Sequence, residues 1–149
     1  MSYTQLLYHI VIRTKYGSNT LDFDHSEDLY KYITGYVKNK KSLMYQINGV
    51  SNHIHMLVSL HPTLSMSNFV KDLKTSANNW IKANSYFPKF ISWGAKYGAF
   101  SCSNRNKDVI IRYIKNQREH HKCIPFKDEY RQLIVEAGIE IDEKYFLKD

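Results

Sequence analysis

The amino-acid sequence predicts an α+β protein, an antiparallel sheet covered by helices on one face. Three observations point there. Apolar residues recur with a period near two over residues 3–13, 43–47 and 53–60, and with helical spacing over 26–40 and 65–84. Asn-Gly and Ser-Asn pairs between the second and third of those strand-like runs read as a hairpin. The resulting order, β-α-β-β-α-β-β-α-α, suits a sandwich of the ferredoxin-like kind. At 149 residues, the expectation is one domain spanning 1–149, long enough to bury a real core.

The elements follow in order. Tyr3 to Arg13 is rich in Tyr, Ile and Val, as a strand is, and Gly17 to Asp24 is a loop. Ser26-Glu27-Asp28 opens the first helix with a capping hydroxyl and acids in its first turn; Leu29, Ile33, Tyr36 and Val37 form its apolar stripe, ending near Lys40. Leu43 to Ile47 and His53 to Leu60 are strands joined through Asn48 to Asn52, and Pro62 ends the second. Ser65 caps a long helix to about Asn84, with Met66, Phe69, Val70, Leu73, Ala77, Trp80 and Ile81 on one stripe. Phe90 to Trp93 and Ala99 to Cys102 read as a second hairpin around Gly94 to Gly98. Asn104 or Asn106 caps a third helix to about His121, and a fourth runs from Phe126 to Gly138. The tail from Ile139 shows no pattern.

Twelve tyrosines and a formal net charge of +7 stand out in an otherwise ordinary composition. A basic surface rich in aromatic rings suits a polyanion with exposed bases, meaning single-stranded or looped nucleic acid; the plain alternative is a charge that only aids solubility. Cys102 and Cys123 sit in no metal-ligand spacing and read as free packing residues. With no signal-peptide pattern and no apolar run of the roughly 18–20 residues that span a membrane, a reducing cytoplasm is the expected home.

The chemistry concentrates in two places. His53-Ile54-His55 lies in a strand, where residues i and i+2 face the same side about 6–7 Å apart. Two imidazoles so placed can converge on one divalent cation, although an isolated His-x-His also fits two structural histidines. Tyr113 and Gln117 are four apart on a helix and share a face, with Cβ atoms roughly 5–6 Å apart. Tyr113 is the candidate nucleophile; the bland reading is a rim tyrosine. Arg105, Lys107, Arg112, Lys115, Arg118 and Lys122 surround it in sequence, a positive field expected to favour phenolate. Gln117 offers a neutral oxygen to the same cation or else a solvated helix face. His120 and His121, at the helix end, read as capping or DNA-facing residues and not as ligands.

His-x-His in a strand with Tyr-x-x-x-Gln in a later helix resembles the single-tyrosine transposases of the HUH endonuclease superfamily, enzymes of the simplest bacterial insertion sequences, and the related REP-associated tyrosine transposases. The similarity runs over most of the chain: Tyr8 to Lys15, Asn52 to Val58, Leu73-Lys74, Tyr97 to Ser101, and Tyr113 to His121. Each motif is loose alone; together, in order and at matching spacing, they are specific. The resemblance implies that His53, His55 and Gln117 hold one Mg2+ or Mn2+. It implies that Tyr113 attacks a phosphate of single-stranded DNA, leaving a 5′-phosphotyrosine and a free 3′-hydroxyl. It further implies recognition of hairpins at the ends of the protein's own element, and a homodimer in which one subunit's tyrosine helix can complete the partner's site. One departure is Asn52, where many relatives carry Asp: Asn still accepts a hydrogen bond but brings no charge. Arg13, Lys15, Lys71, Lys74, Arg105 and Lys107 are the candidate phosphate contacts, and Tyr16, Tyr97 and Trp93 the candidate base-stacking rings.

Two other functions share these features. A non-catalytic hairpin-binding module, or a host-adopted regulator on the same fold, would show the same charge and aromatics. A zinc hydrolase would use His53, His55 and a third ligand, and the lack of a matched His/Asp/Glu cluster near the triplet counts against it.

Overall fold

The computed structural model describes residues 2–149. Its strands are β1 (Leu7–Thr14), β2 (Leu43–Val50), β3 (His53–Ser59) and β4 (Trp93–Cys102); its helices are α1 (Ser26–Asn39), α2 (Met66–Asn84), α3 (Lys107–Lys115), the single turn α4 (Gln117–His120) and α5 (Phe126–Glu136). The strands form one antiparallel sheet in the order β2-β3-β1-β4. Each helical crossover, β1-α1-β2 and β3-α2-β4, skips one strand, and the skipped strand pairs antiparallel between them. This is the ferredoxin-like arrangement that the sequence predicts.

Strand alternation sorts the two faces. Ile10, Ile12, Ile54, Met56 and Val58 are buried with Leu29, Ile33 and Val37 of α1 and with Phe69, Val70, Leu73, Ala77 and Ile81 of α2. The i, i+4 spacing in α1 and the i, i+3, i+4 spacing in α2 give each helix one apolar stripe to lay on the sheet. Ser65 caps α2, its hydroxyl accepting from the backbone N–H of Asn68 at 3.3 Å. The other face holds His9, Val11, His53, His55 and Leu57, all buried as well. The sequence places helices on one face only; α3, α4 and α5 in fact close part of the second.

Two further differences have physical causes. The expected hairpin over 90–102 is a single strand, β4, with an irregular register against β1 between Ile12 and Thr14. Its glycines serve close approach and not a turn. A Cβ on Gly98 would lie 2.7 Å from the Tyr130 ring, and one on Gly94 would lie 2.7 Å from the Asp149 carboxylate. The third helix breaks at Asn116, so Gln117 begins α4. There the Asn48 side chain donates to the carbonyls of Ile114 (3.1 Å) and Lys115 (3.0 Å), satisfying the end of α3 and tying it to β2.

The tail beyond α5, without periodicity in the sequence, docks through specific contacts. Arg13 donates to the Leu147 carbonyl at 2.6 Å and pairs with Asp149 at 2.9 Å, while Tyr130 stacks on Phe146. Both cysteines are free; Cys102 is partly buried, but Cys123 is exposed and not the packing residue expected.

Candidate active site

His53 and His55 are both fully buried and point off the same face of β3. Between them Ile54 enters the core, as alternation requires. Against this face the break at Asn116 turns Gln117 inward, so that its Oε1 lies 3.2 Å from His53 Nε2. Tyr113, one turn earlier on α3, packs edge-on to His55 with ring centroids 5.9 Å apart. The four residues singled out from sequence therefore meet within one chain.

Three residues not assigned to the site from sequence also lie in it. Glu129 of α5, 2 % exposed, sits at the centre. Its Oε1 faces the Nε2 atoms of His121 (2.8 Å), His55 (3.1 Å) and His53 (3.5 Å). Its Oε2 accepts from Gln117 Nε2 at 2.8 Å and from the Tyr113 hydroxyl. His121 was assigned to helix capping or DNA; the chain instead turns its ring inward onto Glu129, and only His120 stays at the rim, 28 % exposed. His9 of β1 is buried behind the site, its Nε2 2.7 Å from His55 Nδ1. A signal for Glu129 exists in the sequence: a carboxylate flanked by Phe126, Tyr130 and Leu133 on an otherwise apolar helical stripe.

Hydrogen-bond logic then points to a candidate cation site. Asn52 donates through Nδ2 to the Gly17 carbonyl at 3.3 Å, so its Oδ1 is the atom facing His53 Nδ1 at 2.7 Å. His53 must therefore carry its proton on Nδ1. Gln117 donates through Nε2 to Glu129, which leaves Oε1 turned to His53. The Nε2 lone pair of neutral His53 thus confronts two oxygen acceptors with no proton among them. Burial holds His53 neutral, lowering its pKa to about 4 despite the Glu129 carboxylate beside it, which raises it. A metal ion would resolve the conflict. His53, His55, His121 and Glu129 each offer one ligand atom, all within 4.8 Å of one another, so the group can hold a divalent cation. The mixed nitrogen and oxygen donors suit Mg2+, Mn2+ or Zn2+. The matched cluster missed along the sequence is supplied by the fold.

Electrostatics at Tyr113 differ from expectation. Burial pushes the phenol well above its ordinary value, and the hydrogen bond to the Glu129 carboxylate raises it further. Three of the basic side chains of this region are engaged elsewhere: Lys107 lies over Tyr45, Arg118 over Phe23, and Lys122 pairs with Glu119. For Glu129 itself, burial acts to raise the pKa; the imidazoles of His121, His53 and His55 set against it outweigh that and keep the group ionised.

Of the candidate phosphate contacts, two already serve the fold. Arg13 binds the tail, and Lys74 donates to the carbonyls of Gly94 (2.8 Å) and Lys96 (3.1 Å), where burial lowers its pKa. Lys71 and Arg105 are exposed; Lys15 and Lys107 are half-buried against Tyr16 and Tyr45. Trp93 is 7 % exposed and packs on Phe90, which removes it as a base-stacking ring; Tyr16 is open, and Tyr97 is half-covered by Lys74.

Residues 2–117 match the family model described as "Transposase IS200 like". The chain belongs to the IS200-like transposase family. No curated protein matches this transposase. Among solved structures, it is similar to a protein of Deinococcus radiodurans R1 named as a candidate transposase, with 21% identity and a TM-score of 0.61 over 78% of this chain and 93% of that one. It is also similar to a REP-associated tyrosine transposase bound to a REP hairpin, with 11% identity and a TM-score of 0.62 over 83% of this chain and 73% of that one. At such identities the likeness concerns the fold alone. Among the described residues, no helix is long and apolar enough to cross a membrane.

Proposed function

We propose that this transposase cuts and rejoins single-stranded DNA through a covalent phosphotyrosine. The observation that supports it most is the His53 lone pair set against two oxygens, a cation site one side chain away from a half-buried phenol. His53, His55 and Gln117 would hold Mg2+ or Mn2+, with Glu129 and His121 within reach. Such a cation would supply charge stabilisation for the scissile phosphate. Tyr113 supplies the attacking oxygen: the phenol O–H is lost, an O–P bond forms, and the P–O3′ bond breaks. The products are a 5′-phosphotyrosine and a 3′-hydroxyl that has gained a proton. Reversal with another 3′-hydroxyl rejoins strands without external energy, because the phosphotyrosine bond is retained in place of the broken one.

The substrate class follows from charge and from the family: hairpin-forming single-stranded ends of the protein's own element, contacted through Lys71, Arg105, Lys15 and Lys107, with Arg13 and Lys74 available only where DNA displaces their present partners. We assign the reaction to the cytoplasm and to the domain 1–149 acting as one unit, since α5 must reach β3 to complete the site. A homodimer is part of the proposal. Because Tyr113 reaches the histidines of its own chain, the second copy would contribute a second hairpin site, with exchange of tyrosine helices as the alternative assembly.

The test is an adduct assay. The protein, Mn2+ and single-stranded oligonucleotides drawn from imperfect palindromes flanking its coding region should give a band shifted on a denaturing gel. Tyr113→Phe should give none, and equal adduct from that variant would assign the nucleophile elsewhere. Hairpin binding that persists in chelator, with no adduct under any metal, would make the protein a non-catalytic binding module.

A further inference from the structure

Glu129 lies on α5, outside the stretch 2–117 that matches the family model, yet it is 2 % exposed and touches His53, His55, His121, Gln117 and Tyr113. A buried carboxylate is unfavourable unless donors satisfy it or chemistry uses it. Its two oxygens divide the work. Oε1 faces three imidazoles, at 2.8, 3.1 and 3.5 Å. Oε2 already accepts the Tyr113 hydroxyl and the Gln117 amide, with His120 Nε2 3.5 Å away at the solvent rim. One carboxylate thus spans the cation site and the nucleophile.

We propose that Glu129 is a catalytic residue: Oε2 holds the Tyr113 hydroxyl and takes its proton as the phenol oxygen bonds to phosphorus, while Oε1 belongs to the cation's shell. The inference rests on Tyr113 being the nucleophile. In the forward step the Tyr113 O–H bond breaks and its proton passes along the existing hydrogen bond to Oε2. The O–P bond forms, the P–O3′ bond breaks, and the departing 3′-oxygen takes a proton from water. Glu129 then returns its proton to solvent past His120. In rejoining, the order reverses, and Glu129 delivers the proton that Tyr113 regains. Glu129 is the carboxylate hydrogen-bonded to the Tyr113 hydroxyl, while His120 at the rim packs on the same phenol ring with centroids 5.5 Å apart.

The experiment compares Glu129→Gln and Glu129→Ala with the native protein. Adduct formation is measured in single turnover with the flanking oligonucleotides at saturating Mn2+; Mn2+ and hairpin affinities are measured separately by calorimetry and gel shift. Gln keeps the shape and can hold the hydroxyl but cannot take its proton, so the rate should fall about 100-fold or more, the usual worth of a positioned base. Hairpin affinity should stay within about threefold, and the deficit should remain once Mn2+ is saturating. In Glu129→Ala, added formate should restore part of the rate, whereas chloride at equal ionic strength should not. A native rate in Glu129→Gln overturns the proposal. So does a loss that disappears at saturating Mn2+, since Glu129 would then be a ligand only. Tyr113→Phe and His53→Ala run in parallel: if Tyr113→Phe still forms adduct, the nucleophile assignment fails; if both controls behave as expected while Glu129→Gln is native, only the role of Glu129 fails.

Discussion

His9 should govern how tightly the site holds its cation although it touches no substrate. When His55 binds metal through Nε2, its Nδ1 must carry the proton, and among the described residues the acceptor placed to receive it is His9 Nε2 at 2.7 Å. His9 is 2 % exposed, so no water replaces it, and its ring also packs edge-on to Tyr113 at 5.9 Å between centroids. His9→Leu would leave the His55 N–H buried and unpaired, at a cost of about 1–3 kcal/mol in the metal-bound state. Loss of such an outer partner weakens metal binding by roughly 10–100-fold. The metal-free protein can move the proton to Nε2 and donate to Glu129 at 3.1 Å, so its stability should change far less. The assay is Mn2+ calorimetry beside a chelator-treated thermal melt. His9→Gln, which keeps an acceptor, should recover most of the affinity. An unchanged Mn2+ dissociation constant in His9→Leu, with an intact melt, would refute the reasoning that this hydrogen bond sets the tautomer of His55.

Three other outcomes are expected. The metal-free fold should be acid-labile: burial lowers His53 from 6.5 to about 4 and His9 from 6.5 to about 3. Below pH 6.5 the unfolded chain therefore takes up protons that the folded chain refuses, and each histidine removes about 1.4 kcal/mol per pH unit until its folded value is reached; a urea midpoint that stays flat from pH 7 to 5 would contradict this. Gly98→Ala should destabilise by about 1–3 kcal/mol, because its Cβ meets the Tyr130 ring at 2.7 Å and that ring must shift from its stacks on Phe126 and Phe146; a denaturation curve that matches the native protein would exclude the clash. Asn52→Asp should bind Mn2+ several-fold more tightly, since a charged acceptor on Nδ1 makes His53 a better ligand, while losing the Gly17 hydrogen bond should lower the metal-free melting temperature; calorimetry showing weaker binding would reverse the assigned role of Asn52.

How much of this was legible before the structure depends on the range of the interaction. Helices α1 and α2 were, because Leu29, Ile33 and Val37, and Phe69, Leu73 and Ala77, repeat at a spacing only a helix turns to one side. β4 was misread because Gly94 and Gly98 look like turn residues locally. Their glycine is explained by Asp149 and Tyr130, which arrive from 55 and 32 positions away. His53, His55, Tyr113 and Gln117 could be paired from strand and helix periods, which are local rules. The placement of His121 could not: it depends on the Asn116 break and on the path through Pro125, and the first of these is secured by an asparagine on another strand.

By itself, then, the sequence determined which residues repeat on which face, and so the order of strands and helices and the two halves of a plausible site. Tertiary structure alone decided that these halves meet in one chain, that a carboxylate from the last helix stands between them, and that His53 Nε2 faces oxygen and no hydrogen. Periodicity constrains neighbours a few residues apart, whereas the charge state and tautomer of a buried group are set by whatever the whole chain brings within about 3 Å of it.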